Sequence, residues 1–187
     1  MEQQFQYYAF ISYKREDEKW AKWLQDRLRW YKLPSKLCRQ ITRLPKKVWP
    51  VFRDNTDLDS GRLEENIRHE LERSHYLIVI CSPEAARSPW VGKEVKYFAT
   101  LHGADKIIPF VVSGIPYSND IETECIHEQI KAISQEELLA INVREEGIGS
   151  FAMKKKRAFI RVVARLLDIK FNTLWQPYER ILRIRKW

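Results

Sequence analysis

Short apolar runs alternate along this chain with longer segments whose apolar residues recur at helical spacing. Tyr8 to Tyr13 is the first run, and its aromatic and β-branched content predicts a strand. From Glu18 to Tyr31, Trp20, Trp23, Leu24, Leu28 and Tyr31 form one stripe, while Lys22, Gln25, Asp26 and Arg29 occupy the other side. That is the pattern of a helix laid on a core. A second strand is expected from Trp49 to Phe52, and then a helix starting near Asp59 or Ser60 that buries Leu63, Ile67 and Leu71. Tyr76 to Cys81 predicts a third, central strand, Lys106 to Ser113 a fourth, and Leu138 to Val143 a fifth. Phe159, Val163, Leu166 and Leu167 mark a last helix starting after Ser150. Strands alternating with helices specify a parallel sheet covered on both faces, and right-handed crossovers make the expected class α/β, a flavodoxin-like five-stranded sheet.

The segment Ser88 to Phe98, SPWVGKEVKYF, holds the most pointed chemistry. Ser88 and Pro89 are helix-start residues, and Val91, Val95 and Phe98 form the apolar stripe of the helix that follows. Trp90 and Glu94 are four apart, so an aromatic plane and a carboxylate share one side of that helix. The helix begins shortly after the third strand ends, which places its start at the carboxyl edge of the sheet, where open α/β folds bind ligands. Charged loops after the first two strands, YKREDEKW and RDNTDLDSG, are expected at the same edge. No Gly-x-Gly-x-x-Gly or Walker loop is present, so the usual phosphate cradles are excluded. Asp54, Asp57 and Asp59 lack the glycine and closing glutamate of a calcium loop at the required offsets, and no metal site is expected.

Three blocks carry a family resemblance. AFISYKREDEKWA resembles the first strand and loop of TIR domains, VFRDNTDLDSGRLEENI resembles their second strand and following BB loop, and SPWVGKEV resembles the Trp-x-x-x-Glu segment of the TIR domains that cleave NAD. They occur in the family's order, and the likeness covers roughly residues 5 to 170, most like the bacterial domains of anti-phage defence systems such as Thoeris. The resemblance implies cleavage of the nicotinamide–ribose bond with Glu94 as the catalytic carboxylate. It implies a ligand pocket from Phe10, Ser12, Tyr13, Lys14, Arg15, Phe52, Asp54, Leu58 and Trp90, with NAD+ as substrate and no further cofactor. The product is left open between linear, cyclic and conjugated ADP-ribose. Self-association through the BB loop, a phage-derived activator and a downstream effector that senses the product are the expected partners. The alternative is a non-enzymatic TIR adaptor, which needs no carboxylate at position 94.

Composition bounds the rest. At 187 residues, 44% apolar and 31% charged, the chain suits one globular domain. MEQQFQYYAF lacks the regions of a signal peptide and no apolar run is long enough for a membrane span, so a cytoplasmic location is expected. Cys38, Cys81 and Cys125 are odd in number and read as reduced thiols. The net charge of +8 is unevenly spread: residues 14–47 carry 12 Lys or Arg against 4 acids, residues 48–153 carry 10 against 18, and residues 154–187 carry 11 against 2. Such charge suits an anionic partner, an acidic membrane surface or pairing of the basic parts with the acidic one; no nucleic-acid-reading module is recognised. The TIR domain is expected over residues 1–170, with a basic insertion at about 33–47. Residues 171–187 are expected to form a basic C-terminal extension or the start of a linker, outside the compact domain.

Overall fold

The computed structural model describes residues 5–53, 61–134, 137–145 and 149–184. Strand β1 (Tyr7–Ser12) leads through a single 3-10 turn into helix α1 (Glu18–Trp30), and a short helix α2 (Ser35–Gln40) precedes β2 (Val51–Arg53). Helix α3 (Gly61–Glu72), β3 (Ser74–Cys81), the one-turn α4 (Pro83–Ala86), α5 (Pro89–His102) and β4 (Ile107–Val111) follow. The chain then forms α6 (Glu128–Ile133), β5 (Ile141–Asn142), α7 (Phe151–Leu166) and α8 (Phe171–Ile184). All strand pairings are parallel, in the order β2-β1-β3-β4-β5. This is the flavodoxin-like winding, and its direction reverses between β1 and β3, the position at which such sheets open a crevice for ligands.

Alternation along the strands divides the core into two layers. Ala9 and Ile11 of β1 face a layer built by α1, α2, α7 and α8, with Leu24, Leu28, Phe159 and Val163 buried in it. Phe10 of β1 faces the other layer, where Ile67 and Leu71 of α3 meet Val91, Val95 and Phe98 of α5. Side chains of the Leu, Ile and Phe kind each contribute about 1.5–3 kcal/mol when buried this completely.

Two segments expected at the periphery are integral to the first layer. Leu33, Leu37 and Leu44, within the basic insertion, are 6%, 6% and 8% exposed. The insertion thus extends the core while its Lys36, Arg39, Lys46 and Lys47 face solvent. The C-terminal segment also packs: Leu174 and Trp175 of α8 join the same cluster, and α8 lies against α7. Its apolar residues Leu174 and Trp175 are adjacent, so neither a strand alternation nor a long helical stripe announced their burial. Helices α1 and α2 of the first basic stretch and α7 and α8 of the second therefore share one face of the sheet. Among the described residues no helix is long and apolar enough to cross a membrane.

Candidate functional site

At the carboxyl end of β1 the alternation that buries Phe10 brings Ser12 to the same face, opposite α5. Helix α5 starts with Ser88 as N-cap, its hydroxyl accepting from the Val91 N–H at 3.4 Å, and with Pro89 in the first turn. The cap fixes the phase of the helix, so Glu94 turns inward one turn later and is 5% exposed. Both its carboxylate oxygens are held. The Ser12 hydroxyl donates to Oε2, and the Trp90 indole N–H donates to Oε1 at 2.9 Å. A carboxylate removed from water but held by two donors remains chemically available while losing its freedom to rotate.

Around this cluster the sheet edge is aromatic. Phe10 stacks on Phe52 with ring centroids 5.2 Å apart, and Tyr7 meets the same ring edge-on at 5.4 Å. A groove of about 300 Å³ runs between α3 and α5, bordered by Trp90 and Glu94. Ile67, Leu71 and Tyr97 form its apolar wall, and Arg68, Lys93 and Lys96 bring positive charge to it. The Lys93 ammonium lies 5.7 Å from the Trp90 ring centre. These three cations were not among the residues expected from sequence, because Lys and Arg on helix faces are ordinarily solvated.

The remaining expected residues divide. Tyr13 turns toward α1: its hydroxyl accepts from the Arg53 guanidinium at 3.1 Å, and Arg53 also donates to Gln25 Oε1 at 3.0 Å. Gln25 in turn donates to the Val51 carbonyl at 3.0 Å, so this network ties α1 to the end of β2. Lys14 is half-buried and Arg15 exposed, in the loop leaving β1 beside Ser12. Asp54 and Leu58, with the rest of the loop from 54 to 60, lie outside the described residues. Among the described residues no cluster of His, Cys, Asp or Glu is suited to hold a metal ion.

A second buried carboxylate was not expected. Asp17, 8% exposed, accepts from the Ser82 hydroxyl at 2.5 Å, and the same hydroxyl caps α4 by accepting from the Ala85 N–H at 3.1 Å. This bridge fastens the loop after β1 to the loop after β3 across the crevice. Burial raises the Asp17 carboxyl above the ordinary range, the Ser82 hydrogen bond opposes that rise, and Glu84 and Glu16 add to it. Its only sequence signal was Ser82-Pro83, a cap without an evident partner.

Comparison with known proteins bears on the family and the fold. NAD(+) hydrolase ApTIR of an Actinoplanes species is 36% identical over 110 residues, which is 58% of this chain and 14% of that protein. The chain thus spans only a small part of the length of that relative. The TIR domains in the activated Roq1 resistosome, which directly recognises the pathogen effector XopQ, superpose with a TM-score of 0.54 at 14% identity. That alignment covers 82% of this chain and 98% of theirs, and it speaks to the fold alone. Residues 9–146 match the family described as TIR domain, and the chain belongs to that family.

Proposed function

We propose that this TIR domain cleaves NAD+ at the nicotinamide–ribose bond, with Glu94 as the catalytic carboxylate. The observation that carries the reading is the clamp on Glu94: a buried carboxylate fixed by Ser12 and Trp90 beside the β1/β3 crevice. The 36% identity to an NAD(+) hydrolase over 110 residues supports it.

In NAD+ the glycosidic nitrogen already carries positive charge, so the leaving group needs no proton. The C1′–N bond breaks with its electron pair passing to the ring nitrogen. Neutral nicotinamide departs and an oxocarbenium-like ribose remains. A carboxylate held against the ribose hydroxyls offsets the developing charge. In this reading Ser12 keeps Oε2 in place, and Oε1 exchanges the half-buried Trp90 indole for a ribose hydroxyl. Water then adds to C1′ and releases a proton, giving ADP-ribose; capture by a nucleophile of the same molecule gives a cyclic product, and capture by another gives a conjugate.

Trp90 and Phe52 face the ring of the ligand, with Phe10 packed behind Phe52. Lys14 and Arg15 follow Ser12 at the strand end, and the resemblance adds Asp54 and Leu58 from the next loop, whereas Tyr13 lies on the α1 side of the sheet and takes no part. Self-association through the loop from 53 to 61 switches the activity on. A nucleotide signal made in the cytoplasm in response to a phage-derived activator, and read by a downstream effector, is the biological setting we propose. Chromatography of NAD+ incubated with concentrated protein tests the chemistry: nicotinamide must appear together with a ribose-containing product. Its absence from every assembled preparation favours the adaptor role instead.

A further inference from the structure

Behind the helix that carries Trp90 and Glu94 stands His127, 7% exposed, the N-cap of α6. Both its ring nitrogens are engaged. Nδ1 accepts from the Gln129 N–H at 3.0 Å, and Nε2–H donates to the Ser88 carbonyl at 3.1 Å. Accepting at one nitrogen and donating at the other defines the neutral Nε2–H tautomer. Ser88 is itself the N-cap of α5. The imidazole therefore joins the caps of two helices.

The ring also lies flush on α5. A Cβ built on Gly92 falls 2.5 Å from His127 Cε1 and 2.8 Å from Nε2, so only glycine at 92 admits the ring to this depth. Gly92 lies in the turn between Trp90 and Glu94. A mid-helix glycine ordinarily weakens a helix, which makes this close approach its structural reason.

We infer that His127 is a positioning residue: its neutral imidazole locks the first turn of α5, and through it sets the placement of Trp90 and Glu94. The inference rests on the NAD-cleaving reading only for its effect on rate. Protonation turns Nδ1 into a donor facing the Gln129 N–H and breaks the tie to α6 while Nε2–H keeps the Ser88 carbonyl, so the lock between the two helices holds in the neutral state alone. Burial lowers the His127 pKa below 6.5, with the Ser88 carbonyl and then Glu128 opposing. His127 borders a groove of about 590 Å³ between α5 and α6, whose lining is charged on both sides. Arg87, Lys93 and Lys96 come from the α5 side, while Glu124, Glu128 and Lys131 come from the α6 side, and Lys131 pairs with Glu124.

The test follows the Trp90 indole N–H in the full chain by heteronuclear NMR, assigned through its loss in Trp90→Phe, alongside the His127 ring nitrogens, from about pH 8 to about pH 4.5. The Trp90 signal is expected to move with the His127 midpoint. His127→Phe and Gly92→Ala are expected to shift or broaden it at neutral pH and to reduce kcat for nicotinamide release by about tenfold, with KM nearly constant. His127→Asn, which still caps α6, is expected to fall between. An unmoved Trp90 signal while His127 titrates overturns the inference, as do unchanged signals in both variants. If the variants do not fold, the wild-type titration decides alone. If the wild-type protein releases no nicotinamide, the enzymatic reading fails while the NMR coupling still tests the lock.

Discussion

The Ser12 hydroxyl donates to Glu94 Oε2 across 82 residues of sequence, linking the end of the first strand to the second turn of the helix that follows the third. Because the winding reverses between those strands, this bond spans the crevice itself. Ser12→Ala removes a donor to a charged group, worth roughly 1.5–3 kcal/mol. A fall of about 10- to 100-fold in nicotinamide release, with a melting temperature lowered by several degrees, is the expected outcome. Steady-state rates measured beside a thermal melt check it.

Trp90 holds the other oxygen through its indole N–H and also borders the groove. Trp90→Phe keeps an aromatic plane and removes the donor; Trp90→Ala removes both. The alanine variant is expected to lose substantially more kcat/KM than the phenylalanine variant. Equal losses would show that the ring contributes nothing beyond its hydrogen bond.

Asp17 is predicted to make stability depend on pH in the opposite sense from an ordinary ion-paired carboxylate. Its folded pKa lies above the unfolded value, chiefly through burial. Its favourable contribution is thus complete below the unfolded pKa and is lost as pH rises through the folded one. Asp17→Asn keeps an acceptor for the Ser82 hydroxyl without the buried charge, so its melting temperature relative to wild type is expected to be higher at about pH 7 than at about pH 4. Asp17→Ala, which strands the hydroxyl, is expected to be destabilised at both.

The C-terminal helix is predicted to be part of the folding unit. Leu174 is fully buried among residues of the first core layer. Leu174→Ala is expected to cost about 2–5 kcal/mol in denaturant unfolding. A change within error would return α8 to the status of an appendage.

Thiol reactivity separates the three cysteines. Burial pushes Cys125 up to about 12 and Cys81 well above the ordinary thiol range, whereas Cys38 is only partly buried. Thiolate is the reactive form. In a native-state thiol titration Cys38 is expected to react first, with Cys81 and Cys125 following only after denaturation.

The periodicity of the chain made the sheet, its helices and the Trp90–Glu94 pair legible, since amphipathic stripes and a Ser-Pro cap are local signals. Strand lengths were less so: the fifth strand is only Ile141–Asn142, with the Val143 N–H still donating to the Val111 carbonyl of β4. Contacts made over long sequence separations were not legible. Nothing near Asp17 announces Ser82, and nothing near Gly92 announces His127; both pairs arise from two loops or helices meeting across the fold. The segment at 33–47 read only as a basic insertion because its Lys and Arg outnumber its leucines, yet the leucines are what the core takes.

The central claim is that Glu94 carries bond cleavage, and its most direct test compares Glu94→Gln and Glu94→Ala with the wild-type protein in nicotinamide release from NAD+ under conditions that assemble all three alike. Glutamine retains the size of the side chain and one acceptor oxygen, enough for the Trp90 indole N–H while its amide donates to the Ser12 oxygen, but it cannot offset positive charge on the ribose. Both variants are expected to lose release while their assembly stays intact. Release by Glu94→Gln at the wild-type rate contradicts the claim.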